Sequence, residues 1–113
     1  MKMIADSISM EELERMAAEL FGDMVKAVVD VDLELVALDA ELHSDLEALL
    51  LEGGSKQDHL WGINLYPGAA QNDFVEFDSL INVRPSRNNR SRSVEDPGLQ
   101  KRIIEIVKKR VKK

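Results

Sequence analysis

The chain contains no cysteine. Disulfides, thiol nucleophiles and thiolate metal sites are therefore excluded, and a reducing, cytoplasmic setting is the natural expectation. Histidine is nearly as scarce: His43 and His59 are the whole supply. No His-x3-His pair exists, so the usual helical metal-binding spacing is missing. Long apolar runs are missing too. The block Ala48 to Leu51 is four residues long, far short of the roughly 20 a membrane helix needs. Met1 to Asp6 is too short and too polar for a signal peptide. There is no nucleophile elbow, no helix-turn-helix spacing and no phosphate-binding glycine loop. Gly53-Gly54 closes a helical stretch instead of opening one. No cofactor is implied.

What is present is a division of charge. Residues 1–83 hold 18 acids and 4 bases, and residues 84–113 hold 3 acids and 11 bases; −14 and +8 give the net −6. A split of this size means a basic tail that binds something anionic, or one that folds back on its own acidic body. At 113 residues the chain is one domain with one core.

Periodicity gives an element order. Ser9 and Glu12 form a capping-box pair ahead of a helix from about Met10 to Phe21, with Ile8 and Leu13 placed as a hydrophobic staple and Gly22 at the left-handed end. Val25, Ala27, Val29 and Val31 alternate with more polar neighbours, which predicts a hairpin with arms 24–31 and 34–38 turning near Asp32 and Leu33. Leu42, Leu46, Leu49 and Leu50 return to helical spacing from Glu41. Leu60 to Tyr66 and Asp73 to Arg84 read as two more strands, joined by the turn-rich 67–72 loop. Residues 85–95 are a polar loop. Asp96-Pro97 then caps a helix carrying Leu99, Ile103, Ile106, Val107 and Val111, to about Lys112. The order α-β-β-α-β-β-α predicts an α+β two-layer sandwich: a mainly antiparallel four-stranded sheet with three helices, the last (97–112) packed on the sheet. Trp61 and the five methionines read as core or gap-filling residues.

Three sets of residues carry chemical content. Pairing the last two strands as a hairpin gathers Asn64, Tyr66, Glu76, Asp78, Asn82 and Arg84 on one sheet face, either as a binding surface on a rigid support or as an ordinary solvated face. The 84–92 loop presents Arg84, Arg87, Arg90 and Arg92. Guanidinium forks suit phosphate or carboxylate, though the same arginines suit Glu76 and Asp78, and the loop lacks the aromatics that nucleic-acid grooves use. Glu41, His43 and Asp45 would share one side if extended, a weak divalent-metal set. In a helix, Glu41 and Asp45 are neighbours and His43 faces elsewhere. These sets predict a non-enzymatic binding or interaction module using residues 60–92, for an unknown protein or a small anionic ligand. It would act as a monomer or homodimer, without a membrane partner. The rival is a small hydrolase or metal-dependent enzyme built on Glu41, His43, Asp45 and Asp78. Nucleic-acid binding through the basic C-terminal part is a third, less favoured reading.

The stretches Gly22-Asp23-Met24-Val25-Lys26-Ala27-Val28-Val29-Asp30, Glu41-Leu42-His43, Leu60 to Pro67, Phe77 to Pro85 and Asn89-Arg90-Ser91-Arg92 resemble a family of short bacterial and archaeal proteins. That family is catalogued as a domain of unknown function. The resemblance spans nearly the whole chain and implies a small cytosolic protein with no assigned activity or catalytic residues. Such proteins tend to carry glycine at the turn where this chain has Asp39-Ala40.

Overall fold

The computed structural model describes residues 1–113. Seven strands and three α-helices follow one another: β1 Lys2–Ile4, β2 Ile8–Ser9, α1 Met10–Leu20, β3 Val25–Asp30, β4 Leu35–Leu38, α2 His43–Glu52, β5 Leu60–Leu65, β6 Val75–Glu76, α3 Pro97–Arg110 and β7 Val111–Lys112. β1, β4, β3, β5 and β6 form one antiparallel sheet in that spatial order, so it has five strands where four were expected. β2 and β7 make a separate parallel pair, with Ile8 opposite Val111 and Ser9 opposite Lys112. The α+β class, the three helices and the antiparallel sheet stand as the sequence indicated.

Alternation along the strands assigns the helices to faces. Ala27, Val29, Val36, Leu38, Trp61, Ile63 and Leu65 share one core with Leu13, Met16 and Ala17 of α1 and with Ile103, Ile106 and Val107 of α3. Val28, Ala37 and Leu60, which point the other way, form a second core with Leu46 and Leu50 of α2. The second face is therefore covered as well, and α2 adds a helical layer to the sandwich. This is why Val28, on the side the alternation assigned to solvent, is completely buried.

Local chemistry fixes the ends. Ser9 Oγ accepts from the Glu12 amide at 3.1 Å. The return half of the capping box is not made, because the Glu12 carboxylate takes the Lys2 ammonium at 2.6 Å instead; that charge-assisted bond is the stronger one. Gly22 and Gly54 hold φ of +93° and +105° at the ends of α1 and α2, a region glycine enters without steric cost. Asp39 sits at φ +75° without being glycine, at the turn where the resemblance implies one. In the β3–β4 turn, buried Asp30 accepts from the amides of Asp32 and Leu33 at 2.9 Å each and from Ser55 Oγ at 2.6 Å. Of the methionines, Met16 is core, whereas Met1 and Met3 are 63% and 47% exposed.

Half of the charge division is resolved inside the molecule. The Glu34 carboxylate is held by Arg102 at 3.1 Å and Lys109 at 2.8 Å, and the lysine bond leads in keeping its carboxyl below the usual carboxylate range. Arg110 donates to the backbone carbonyls of Glu34 and Asp6. These pairs are solvent-exposed and individually weak. Ile103, Ile106 and Val107 are at most 1% exposed, and burying such side chains contributes about 1.5–3 kcal/mol each. Apolar packing, not charge, holds α3. Deleting residues 97–113 is expected to abolish the cooperative melt followed by circular dichroism. A truncated protein melting near the wild-type midpoint would show α3 to be detachable.

Candidate functional site

The site region begins where the last predicted strand fails. Residues 73–84 were expected to run extended, yet β6 covers only Val75–Glu76, and Leu80–Asn82 and Pro85–Arg87 are short 3-10 turns. Phe77 packs into the α1/α3 core while Ile81 packs into the α2 core. Residues four apart in a strand would share a face, so the chain here wraps around the sheet edge. Leu80 ends 70% exposed.

That wrapping leaves β5 with unpaired backbone groups beyond Asn64, and side chains complete the pairing. Asn82, fully buried, accepts from Gly62 N at 2.8 Å and donates from its amide nitrogen to Gly62 O at 2.9 Å and to Arg92 O at 2.9 Å. One carboxamide thus plays the part of an adjacent strand's peptide. Arg84 continues the edge by donating to Leu60 O at 2.6 Å. Its guanidinium also holds Glu47 of α2 at 3.1 Å and lies 5.1 Å from the Trp61 ring centre; burial pushes its pKa below the usual arginine value. Asn89, also buried, donates to Asn82 O at 2.7 Å, Ser93 O at 2.7 Å and Ser91 O at 3.2 Å, and accepts from Glu95 N at 2.9 Å. The Glu95 carboxylate receives the amides of Arg90 and Ser91. Residues 79–95 are therefore a tied framework.

Glycine is required at residue 62. A methyl group there would fall 2.5 Å from Ser79 Cβ and 2.6 Å from its hydroxyl, and Ser79 is itself buried.

The proposed sheet-face residues divide into two groups. Asn64 donates to Glu76 at 2.9 Å and to Asp78 O at 3.2 Å, and the Tyr66 hydroxyl donates to the same Glu76 carboxylate at 2.9 Å. Burial first, then that carboxylate, pushes the Tyr66 phenol up to about 12. Asn82 and Arg84 lie farther along the edge and turn inward. Arg92 pairs with Asp78 at 2.6 Å and Arg87 with Asp58 at 3.5 Å, both at the surface. Arg90 is exposed and its side chain makes no ion pair.

The metal set does not assemble. Glu41 and Asp45 are exposed, and His43 turns inward at the start of α2. No three histidine, aspartate or glutamate side chains converge on a point where an ion could sit. His43 reaches neither Asp78 nor Arg84; its Nε2 donates to Ile63 O at 2.8 Å, and burial pulls its pKa below the usual histidine value. A hydrolase built on Glu41, His43, Asp45 and Asp78 has no aligned acid–base pair here.

A family model described as Protein of unknown function (DUF5674) matches residues 2–110. The chain belongs to that family. No curated protein and no solved structure matches it. The DUF5674 assignment covers α1 through α3, so the edge-sealing residues and the arginine loop both lie within the family's span. In this DUF5674 chain no helix is long and apolar enough to cross a membrane.

Strand alternation puts Asn82 and Arg84 on an outward binding face, whereas both turn inward onto β5. The signal for their inward role was Gly62, a glycine inside a strand, which marks close approach by another segment. Asn89, in a stretch whose composition is that of a plain polar loop, carries no local sign of the bonds it makes.

Two outcomes test this geometry. Gly62→Ala is expected to lower stability by about 1–3 kcal/mol, as overpacking does, measured by urea unfolding; an unchanged midpoint would mean that Ser79 yields freely. His43 is held neutral, so its contribution is complete above its unfolded pKa of about 6.5 and is lost as pH falls through its lower folded value. His43→Gln keeps a donor for Ile63 O and removes the titration. Its stability is expected to fall less steeply than wild type below about pH 6.5, and parallel profiles would refute the assignment.

Proposed function

We propose that this protein is a non-enzymatic interaction module that binds an acidic protein surface through the tied 79–95 segment. The observation that carries this reading is the set of groups left facing outward after the framework has been satisfied. Leu80 and Val83 are 70% and 40% exposed, and Arg87, Arg90 and Arg92 stand exposed on the same segment. Arginine is enriched at interface centres, and here it stands beside exposed apolar side chains. A framework held by buried Asn82 and Asn89 presents them with little ordering left to lose on binding.

The ion pairs of Arg87 and Arg92 do not oppose this. Both pairs are solvated, with side chains 44–65% exposed, and pairs of this kind exchange readily for a partner's carboxylates. The apolar pair beside the arginines favours a protein over a free phosphate. The absence of aromatic residues from the loop counts against nucleic acid. A cytoplasmic setting belongs to the same proposal, supported by the cysteine-free composition.

The test is capture from native lysate by wild type, by Leu80→Ser, by an Arg87, Arg90, Arg92 triple alanine variant and by Lys101→Ala as a control on another face. A partner retained by wild type and Lys101→Ala but lost by both loop variants is the expected result. Retention by the loop variants would overturn it. A shift with generic RNA or DNA at about 50 mM salt, where electrostatic binding is strongest, would move the nucleic-acid reading ahead. Saturable binding of inorganic pyrophosphate that is lost in the triple variant would do the same for a small anion.

A further inference from the structure

A cavity of about 580 Å³ lies away from the arginine loop. It opens between the start of α1, the C-terminal end of α3 with β7, and the loop that follows β5. Met10, Phe74, Val107 and Val111 form its apolar floor. These side chains continue the α1/α3 core outward, so the floor cannot be withdrawn without disturbing that core. Lys108 and Lys113 stand at its rim.

Two features give the cavity a chemical preference. Its volume lies within the range of small-molecule sites, and an apolar wall with a few polar groups is their usual make-up. No acidic side chain lines it, and neither Lys108 nor Lys113 makes an ion pair in the molecule. In a chain of net charge −6, these two ammonium groups stand together beside an apolar hollow. Lysine is a compact point charge on a flexible stem. Two such groups suit one terminal anion and do not demand the planar fork that arginine matches. The side chain of Gln71 adds a neutral polar group on the same lining.

We propose that this cavity binds a small amphipathic carboxylate, its hydrocarbon body on the Met10, Phe74, Val107 and Val111 floor and its anionic end between Lys108 and Lys113. The site shares no lining residue with the 79–95 segment, so it can hold or fail independently of the interaction reading. Both lysines are exposed, and changing them leaves the α1/α3 core intact. Ala69, exposed on the loop at the mouth, gives a second handle: a large side chain there occupies the hollow without altering charge.

The experiment is calorimetric titration of the full chain with decanoate, and with decanol and decyltrimethylammonium as neutral and cationic counterparts, each below its micelle concentration. Decanoate is expected to bind saturably, one per chain, with a Kd below about 1 mM, and more tightly than either counterpart. Lys108→Glu with Lys113→Glu is expected to weaken decanoate by about tenfold or more by reversing the local charge, with the circular dichroism spectrum unchanged. Ala69→Trp is expected to abolish binding. Three results would each overturn the proposal: no saturable decanoate binding, equal affinity for decyltrimethylammonium, or unaltered affinity in the double lysine variant.

Discussion

β5 lies one strand in from the edge of the sheet and is buried along its whole length, yet only part of its outer side is paired by another strand. β3 covers one of its sides over six residue pairs, but β6 covers the other over only two. Unpaired backbone groups buried at a sheet edge cost about as much as lost hydrogen bonds, and an open edge invites another chain to pair with it. Asn82 and Arg84 remove both problems by bonding Gly62 and Leu60. Much else follows from this. Gly62 must lack a side chain, the 79–82 turn must lie against the strand, and Asn89 must tie down the segment that returns from it. Arg84 links this edge to α2 through Glu47, so the edge, the second helical layer and the arginine loop form one connected structure.

The same economy explains the charge pattern. Three bases of α3 close onto the β3–β4 turn, through the carboxylate and carbonyl of Glu34 and the carbonyl of Val31, and Arg110 also reaches the Asp6 carbonyl between β1 and β2. Lys101, Lys108, Lys112 and Lys113 make no ion pair and face solvent. A basic tail on an acidic body is therefore neither wholly a clasp nor wholly a binding arm. The helix is seated by its isoleucines and valine, and the charges divide according to which side of it they occupy.

Elements with a local cause were legible in the sequence. Ser9 and Gly22 bracket α1, Asp96 and Pro97 open α3, and the Val25, Ala27, Val29 alternation marks β3, because each depends on neighbours a few residues away. The three short strands β1, β2 and β7 left no such trace. Two or three residues are too few for a period, and their pairing depends on distant partners. Residues 73–84 misled because Val75, Phe77, Ser79, Ile81 and Val83 alternate as a strand would, whereas the burial of Phe77 and Ile81 is satisfied on opposite faces of the sheet. In the site region, the identity of the polar residues was readable and their direction was not. A carboxamide that completes a sheet edge has the same letter as one that waits for a ligand.

The parallel pairing of Ile8 with Val111 has a consequence for how the chain reaches this structure. Its two partners lie 103 positions apart (111 − 8), and the ladder cannot form until residue 111 has been made. Neither can the α1/α3 core, which needs Ile103, Ile106 and Val107. On a ribosome the β3–β4 hairpin and α2 are free to form early, since their contacts are short in sequence. The face that α3 will cover stays open meanwhile, and such exposed apolar surface is what chaperones meet. Completion of the fold is thus a late and cooperative event, set by long loop closures.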